Sequence, residues 1–147
     1  MSVDKELTFV IEDSKIDYQQ VKNLLHHYGL TDLPAEKIEL AFKNSLYQVF
    51  VLDADSLVVG CGRAISDGVS HAEIYNIALL EKYQHKGIGQ QIIQNLIKQA
   101  HGQIITLYTA PWSVDWYIKQ GFRRLNTGLI RFRAHEIEWM TEKKFIE

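Results

Sequence analysis

Two glycines one residue apart close the run Gln84-His85-Lys86-Gly87-Ile88-Gly89, which lies between a β-rich stretch and a long stretch of helical period. A helix beginning there presents backbone N–H groups that have no partner inside the helix. Glycine lets a ligand approach the backbone closely, and the aligned peptide dipoles favour an anion such as a phosphate or pyrophosphate. Lys86 adds a positive charge beside it. The dinucleotide fingerprint needs three glycines after a first parallel strand, and the nucleotide P-loop needs Gly-Lys-Ser/Thr; neither pattern is present. A different pyrophosphate ligand is implied. The lone Cys61, in Gly60-Cys61-Gly62, has no histidine near it in sequence and is assigned to packing. His26-His27, His71, His85, His101 and His135 lack metal-ligand spacing, so no metal site is expected.

The elements that must position this turn follow from the pattern. Leu7–Ile11 reads as a first strand, and Asp17 with Gln20 three residues on is a capping-box signal for a helix carrying Tyr18, Val21, Leu24, Leu25 and Tyr28 on one face, stopped by Gly29. Pro34 suits the first turn of a second helix with Ile38, Phe42 and Leu46 four apart. Tyr47–Leu52 and Leu57–Ile65 form a hairpin about Asp53-Ala54-Asp55-Ser56, and Asp67-Gly68 turns the chain into a strand over Glu73–Leu80. From Ile88 the apolar residues Ile92, Ile93, Leu96, Ile97 and Ala100 take helical period, closed by Gly102. A strand over Ile104–Tyr108, a short helix over Ser113–Gln120 ended by Gly121, strands over Phe122–Leu125 and Leu129–Arg133, and a helical tail from His135 to Lys144 complete the chain. Hairpins followed by a strand-helix-strand crossover predict an α/β (α+β) protein, a mixed sheet with helices on its faces.

Composition sets the bounds. The 147 residues, 46% hydrophobic and 23% charged, suit one domain spanning residues 1–147 with a conventional core. Sixteen Lys and Arg against eighteen Asp and Glu give a net charge of -2, which argues against an electrostatic grip on nucleic acid. No apolar run nears the ~20 residues of a membrane span, no secretion signal opens the chain, and one cysteine fits a reducing compartment. A cytoplasmic protein without membrane or nucleic-acid partners is expected.

Gln84, Gly87 and Gly89 match the Gln/Arg-x-x-Gly-x-Gly/Ala motif, and Trp116-Tyr117-Ile118-Lys119-Gln120-Gly121-Phe122 is similar to an aromatic-Tyr-x-x-x-Gly-Phe segment, so that the chain resembles the GCN5-related N-acetyltransferase (GNAT) family. The segment Gly60–Gly68 also resembles one group of small members. The resemblance implies a mainly antiparallel sheet of six to seven strands flanked by about four helices. Acetyl-CoA is the implied co-substrate, with the backbone of Ile77, Ala78 and Leu79 pairing with its pantetheine arm and Gln84, His85, Lys86, Gly87, Ile88 and Gly89 holding its pyrophosphate. Leu79 N–H would polarise the thioester.

An alkyl amine of pKa near ~10.4 must lose a proton before it attacks. Glu73, eleven residues before Gln84, stands where the family's histone-acetylating members carry a general base; its alternative is a sheet carboxylate facing solvent or pairing with Arg63. Tyr117 occupies the tyrosine that in several relatives protonates the departing thiolate, with core packing as its alternative. Many relatives carry Asn where Ala110 stands, and Ser113 either replaces that contact or caps the next helix. His71 is a candidate proton shuttle beside Glu73. Trp112, Trp116, Tyr28 and the loop Leu30–Pro34 are candidates for the acceptor border or for plain packing, and Arg123, Arg124, Arg131 and Arg133 for a solvated basic strip. The implied activity is N-acetylation of a small-molecule or peptide amine in a ternary complex; an acetyl-CoA sensor or interaction module, and transfer to protein or aminoacyl-tRNA, are the competing readings. Homodimerisation is left open.

Overall fold

The computed structural model describes residues 6–147, which fall into two units, one ending at Leu107 and one running Tyr108–Glu147. In the first, the order is β1 (Thr8–Val10), α1 (Tyr18–His27), α2 (Ala35–Lys43), β2 (Tyr47–Leu52), β3 (Val58–Ser66), β4 (His71–Leu79), α3 (Ile88–Gln99) and β5 (Ile104–Thr106). The second holds α4 (Val114–Lys119) and α5 (Ile137–Glu142). The sheet order is β1-β2-β3-β4-β5, antiparallel except for the β4–β5 pair. Side-chain turns explain why the first strands pair antiparallel. Asp53 Oδ1 accepts from the N–H groups of Asp55 and Leu57, both at 2.9 Å. Asp67 Oδ1 does the same for Val69, Ser70 and His71 at 2.8, 2.7 and 3.1 Å. Joining β4 to β5 through α3 makes a crossover, and β5 enters parallel.

Neighbouring residues of β3 show how the two faces are covered. Cys61 is buried among Tyr18, Val21, Leu24 and Leu25 of α1 and Phe42 of α2. Gly62 points the other way, where an added Cβ would meet Ile77, Leu96 and Ile92. Helices therefore cover both faces, as alternation along a strand demands. The α1–α2 side centres on three rings: Phe42 stacks on Phe50 at 5.4 Å, and Tyr18 meets both edge-on at 5.9 and 6.1 Å. On α3, Ile88, Ile92, Ile93 and Leu96 are the buried stripe.

Several sequence expectations change in detail. Asp17 does cap α1, taking the Gln19 N–H at 2.9 Å, but Gln20 does not complete the box; its Oε1 accepts from Val58 N–H at 2.8 Å and ties α1 to β3. The α2 face ends before Leu46, which is exposed because the helix stops at Asn44. Ser113 sits at the N-cap position of α4 without a capping side-chain bond. Phe122–Leu125 and Leu129–Arg133 form no ladder, so the sheet among the described residues has five strands instead of six to seven, with five α-helices. Alternation gives a segment only the capacity to pair. Leu125 at 63% and Leu129 at 100% exposure have no sheet to bury them, and the turn between them is held by a long 3.5 Å bond from Gly128 N–H to Leu125 O.

Candidate active site

The turn before α3 is left-handed twice, at His85 (φ +63) and Gly87 (φ +82). That reverses the chain from the short 3-10 turn Glu81–Tyr83 into the helix. A Cβ on Gly87 would meet nothing within 4 Å, so the glycine serves backbone conformation and leaves open space over the helix start. The first helical bond is made by Gln91 N–H to Gly87 O at 3.1 Å, and no side chain caps α3. Among the described residues, the N–H groups from His85 to Gln90 are thus left for an outside acceptor. Gln84 differs from its neighbours. Its N–H bonds to Glu81 O at 3.0 Å, and its side-chain amide donates to Leu79 O at 2.7 Å and Tyr28 Oη at 3.2 Å, bracing the turn against the end of β4. His85, Lys86 and Gly87 are exposed, Gly89 is half-buried, and Ile88 is buried as the first residue of the α3 stripe.

The strand leading into this turn is open on one edge. β5 pairs with β4 at His71–Ile104, Ala72–Ile105 and Glu73–Thr106, so among the described residues β4 from Tyr75 to Leu79 has no strand on that edge. Leu80 N–H bonds back to Val59 O at 2.9 Å. One residue earlier, the N–H and C=O of Leu79 therefore face the open edge. The carbonyl takes the Tyr28 hydroxyl at 2.6 Å as well as Gln84, and the N–H is left toward the edge. Between Cys61 and Arg63 the β3–β4 register shifts, and Asn76 takes φ +59, a bulge that bends β4 where pairing with β5 has ended. Ile77 stands half-buried on the α3 side of that bulge, and Ala78 is buried against the α1–α2 core.

Glu73 occupies the last rung before the strands part. It is half-buried, accepts from Thr106 Oγ1 at 3.1 Å, and takes the hydroxyl of Tyr75 on its other oxygen. Sequence reasoning missed both hydroxyls. Tyr75 was within reach, because residues two apart on a strand share a face. Thr106 was not, since its neighbour is set by register across 33 positions. His71 lies exposed on the same face with Nδ1 2.9 Å from Ser70 Oγ. Cys61 is fully buried, its Sγ 3.4 Å from Asn76 O, and burial pushes its thiol up to about 12.

In the second unit, Tyr117 meets Trp116 and Phe122 edge-on at 4.8 and 6.1 Å, and Gly121 (φ +100) ends α4 with its N–H on Ile118 O. Burial pushes the Tyr117 phenol up to about 12, against a smaller downward pull from a hydrogen bond with Thr109. Trp112 is 73% exposed and packs edge-on to Phe145 at 5.8 Å. The arginines do not line adjacent strands: Arg124 lies 4.0 Å from Asp115, and Arg133 pairs with Glu136.

The acetyltransferase (GNAT) domain family matches residues 45–124, which contain β2 to α4 and both the turn Gln84–Gly89 and Tyr117. An uncharacterized N-acetyltransferase, ycf52, of Pyropia yezoensis is 31% identical over 120 residues, covering 78% of this chain and 69% of that one. Among solved structures, the GNAT family acetyltransferase SP0256 of Streptococcus pneumoniae TIGR4 superposes with a TM-score of 0.73 at 27% identity, over 87% of this chain and 98% of that one. The GNAT family N-acetyltransferase YhbS of Escherichia coli, solved in complex with CoA, shares the fold with a TM-score of 0.65 at 17% identity, over 80% of this chain and 69% of that one. With the family match over more than half of its length, this chain belongs to the GNAT acetyltransferase family.

Proposed function

We propose that this protein transfers the acetyl group of acetyl-CoA to an amine of a small molecule or peptide by direct attack in a ternary complex. The observation that carries the reading is the position of Glu73 on the last β4–β5 rung, at the mouth of an open edge that runs to the anion-accepting turn. A base and a donor channel are thereby built from one strand. The edge from Ile77 to Leu79 suits an extended amide-bearing arm, and the N–H groups of His85 to Gly89, with Lys86 beside them, suit a pyrophosphate. When bound, acetyl-CoA supplies a thioester carbonyl open to a neutral amine.

Glu73 takes the proton that the amine must shed, and Leu79 N–H, aimed at the open edge, stabilises negative charge developing on the carbonyl oxygen. Tyr117, protonated throughout the neutral range, returns a proton to the departing sulfur. Its assignment rests on the second motif and on that protonation state. The family match from 45 to 124 bridges the two units and supports treating residues 1–147 as one working domain. No helix among the described residues is long and apolar enough to cross a membrane, and Cys61 is a free, buried thiol.

The test is thiol release from acetyl-CoA over a panel of polyamines, amino acids, aminoglycosides, lysine peptides and aminoacyl-tRNA. Acetylation of one class is expected. CoA binding without release on any class would replace the enzyme by a sensing module.

A further inference from the structure

A half-buried cation on the α1–α2 side of the sheet has no part in the chemistry above. Arg63 stands in β3 opposite Tyr75. Its guanidinium lies over the Tyr75 ring at 5.1 Å and over the Phe42 ring of α2 at 5.8 Å. Nε donates to Asn76 Oδ1 at 2.6 Å, and Nη1 donates to Ser45 Oγ at 3.1 Å. Ser45 is itself anchored, its hydroxyl donating to Ala41 O at 2.7 Å at the end of α2. A planar fork that meets a ring, an amide and a hydroxyl together is a fixed geometry, which a lysine could not reproduce.

Two of these contacts flank the site. Asn76 is the bulge residue, and its left-handed backbone is unfavourable for an L-residue, less so for Asn than for most. A charge-assisted bond to its side chain, with Cys61 Sγ on its carbonyl, holds it in that conformation. Tyr75 carries the hydroxyl that meets Glu73, so the guanidinium under its ring fixes where that hydroxyl points.

Building on the proposed function, in which coenzyme A lies along Ile77–Leu79, we infer that Arg63 is a positioning residue for both halves of the site. Through Asn76 it holds the bulge that keeps the β4 edge turned for the pantetheine arm, and through Tyr75 it aims the Glu73 carboxylate at the mouth of that edge.

The test measures CoA binding by calorimetry beside acetyl-transfer rates. The proteins are the wild type, Arg63→Met, Asn76→Ala, Asn76→Gly and the double variant Arg63→Met with Asn76→Gly, each checked for folding by circular dichroism. Arg63→Met and Asn76→Ala should each weaken CoA binding by about tenfold. Asn76→Gly should bind nearly as the wild type does, because glycine takes a positive φ without a clamp. In the double variant, CoA affinity should return while turnover stays low, a split that a general loss of stability would not produce. Folded Arg63→Met with wild-type CoA affinity overturns the inference. Should Arg63→Met fail to fold, the Asn76 pair decides: equal affinities of the Ala and Gly variants overturn it. A wild type that binds no CoA removes the functional reading beneath it, whereas wild-type binding that is insensitive to these changes removes the Arg63 inference alone.

Discussion

Each carboxylate oxygen of Glu73 faces a hydroxyl, Thr106 on one and Tyr75 on the other, which holds the carboxylate in one orientation. Glu73→Gln keeps the shape but exchanges one of the two acceptor oxygens for an NH2 donor, and it cannot take a proton. Its kcat should fall by roughly 10²–10⁴ with CoA affinity unchanged, as read by steady-state rates and calorimetry. An undiminished kcat would return Glu73 to a structural role. Tyr117 is tested differently, because a buried phenol at about 12 remains a proton donor across the whole assay range. Tyr117→Phe should cut turnover steeply and leave CoA binding intact. Turnover within about twofold of wild type would leave only packing against Trp116 and Phe122.

The contact between β3 and α3 passes through a position with no side chain. A Cβ on Gly62 would fall 2.5 Å from Ile77 Cδ1, 3.1 Å from Leu96 Cδ1 and 3.2 Å from Ile92 Cγ2. Gly62→Ala should therefore destabilise by about 1–3 kcal/mol through overpacking, lowering the melting temperature by roughly 3–10 °C in a thermal scan. An unchanged melt would mean that the isoleucine and leucine tips give way freely. Ile77 also borders the open edge, so the same variant should weaken CoA binding. These elements were unequally legible in the sequence. The switch from alternation to helical period around Gly87 and Gly89 marked the end of β4 and the start of α3 directly. The bulge left only a faint local trace, an asparagine, one of the few residues besides glycine that accept a positive φ, because a register shift belongs to two strands together. Phe122–Leu125 and Leu129–Arg133 carry strand-like patterns without becoming strands for the same reason: pairing is a property of the partner. The Gln20 side chain likewise chose a distant N–H, Val58, over the local one that its spacing offered.

At the scale of the molecule, stability should be asymmetric in pH. The Cys61 thiol, raised by burial from 9.0 to about 12, binds its proton more tightly in the folded state. Its contribution is complete below pH 9.0 and is lost as the pH climbs toward 12. Asp67 acts with the opposite sign. The Ser70 hydroxyl first, then the Ser70, Val69 and His71 N–H groups, hold its carboxyl below the usual range, so its contribution is present above the unfolded pKa and is lost only in strong acid. Cys61→Ala should lower stability by about 1 kcal/mol near neutrality and flatten the alkaline slope, as read by urea unfolding from pH 8 to 11. A slope unchanged by the substitution would assign it to the tyrosines. The unpaired run of β4 has one more implication. Most proteins cover, charge or shorten a free strand edge, since it templates the strands of other chains. Here it must stay receptive if it is to take a ligand, so the occupant that serves the chemistry also acts as a chaperone of the edge. Supplying it in excess should keep concentrated solutions clear, whereas the stripped protein should scatter light first.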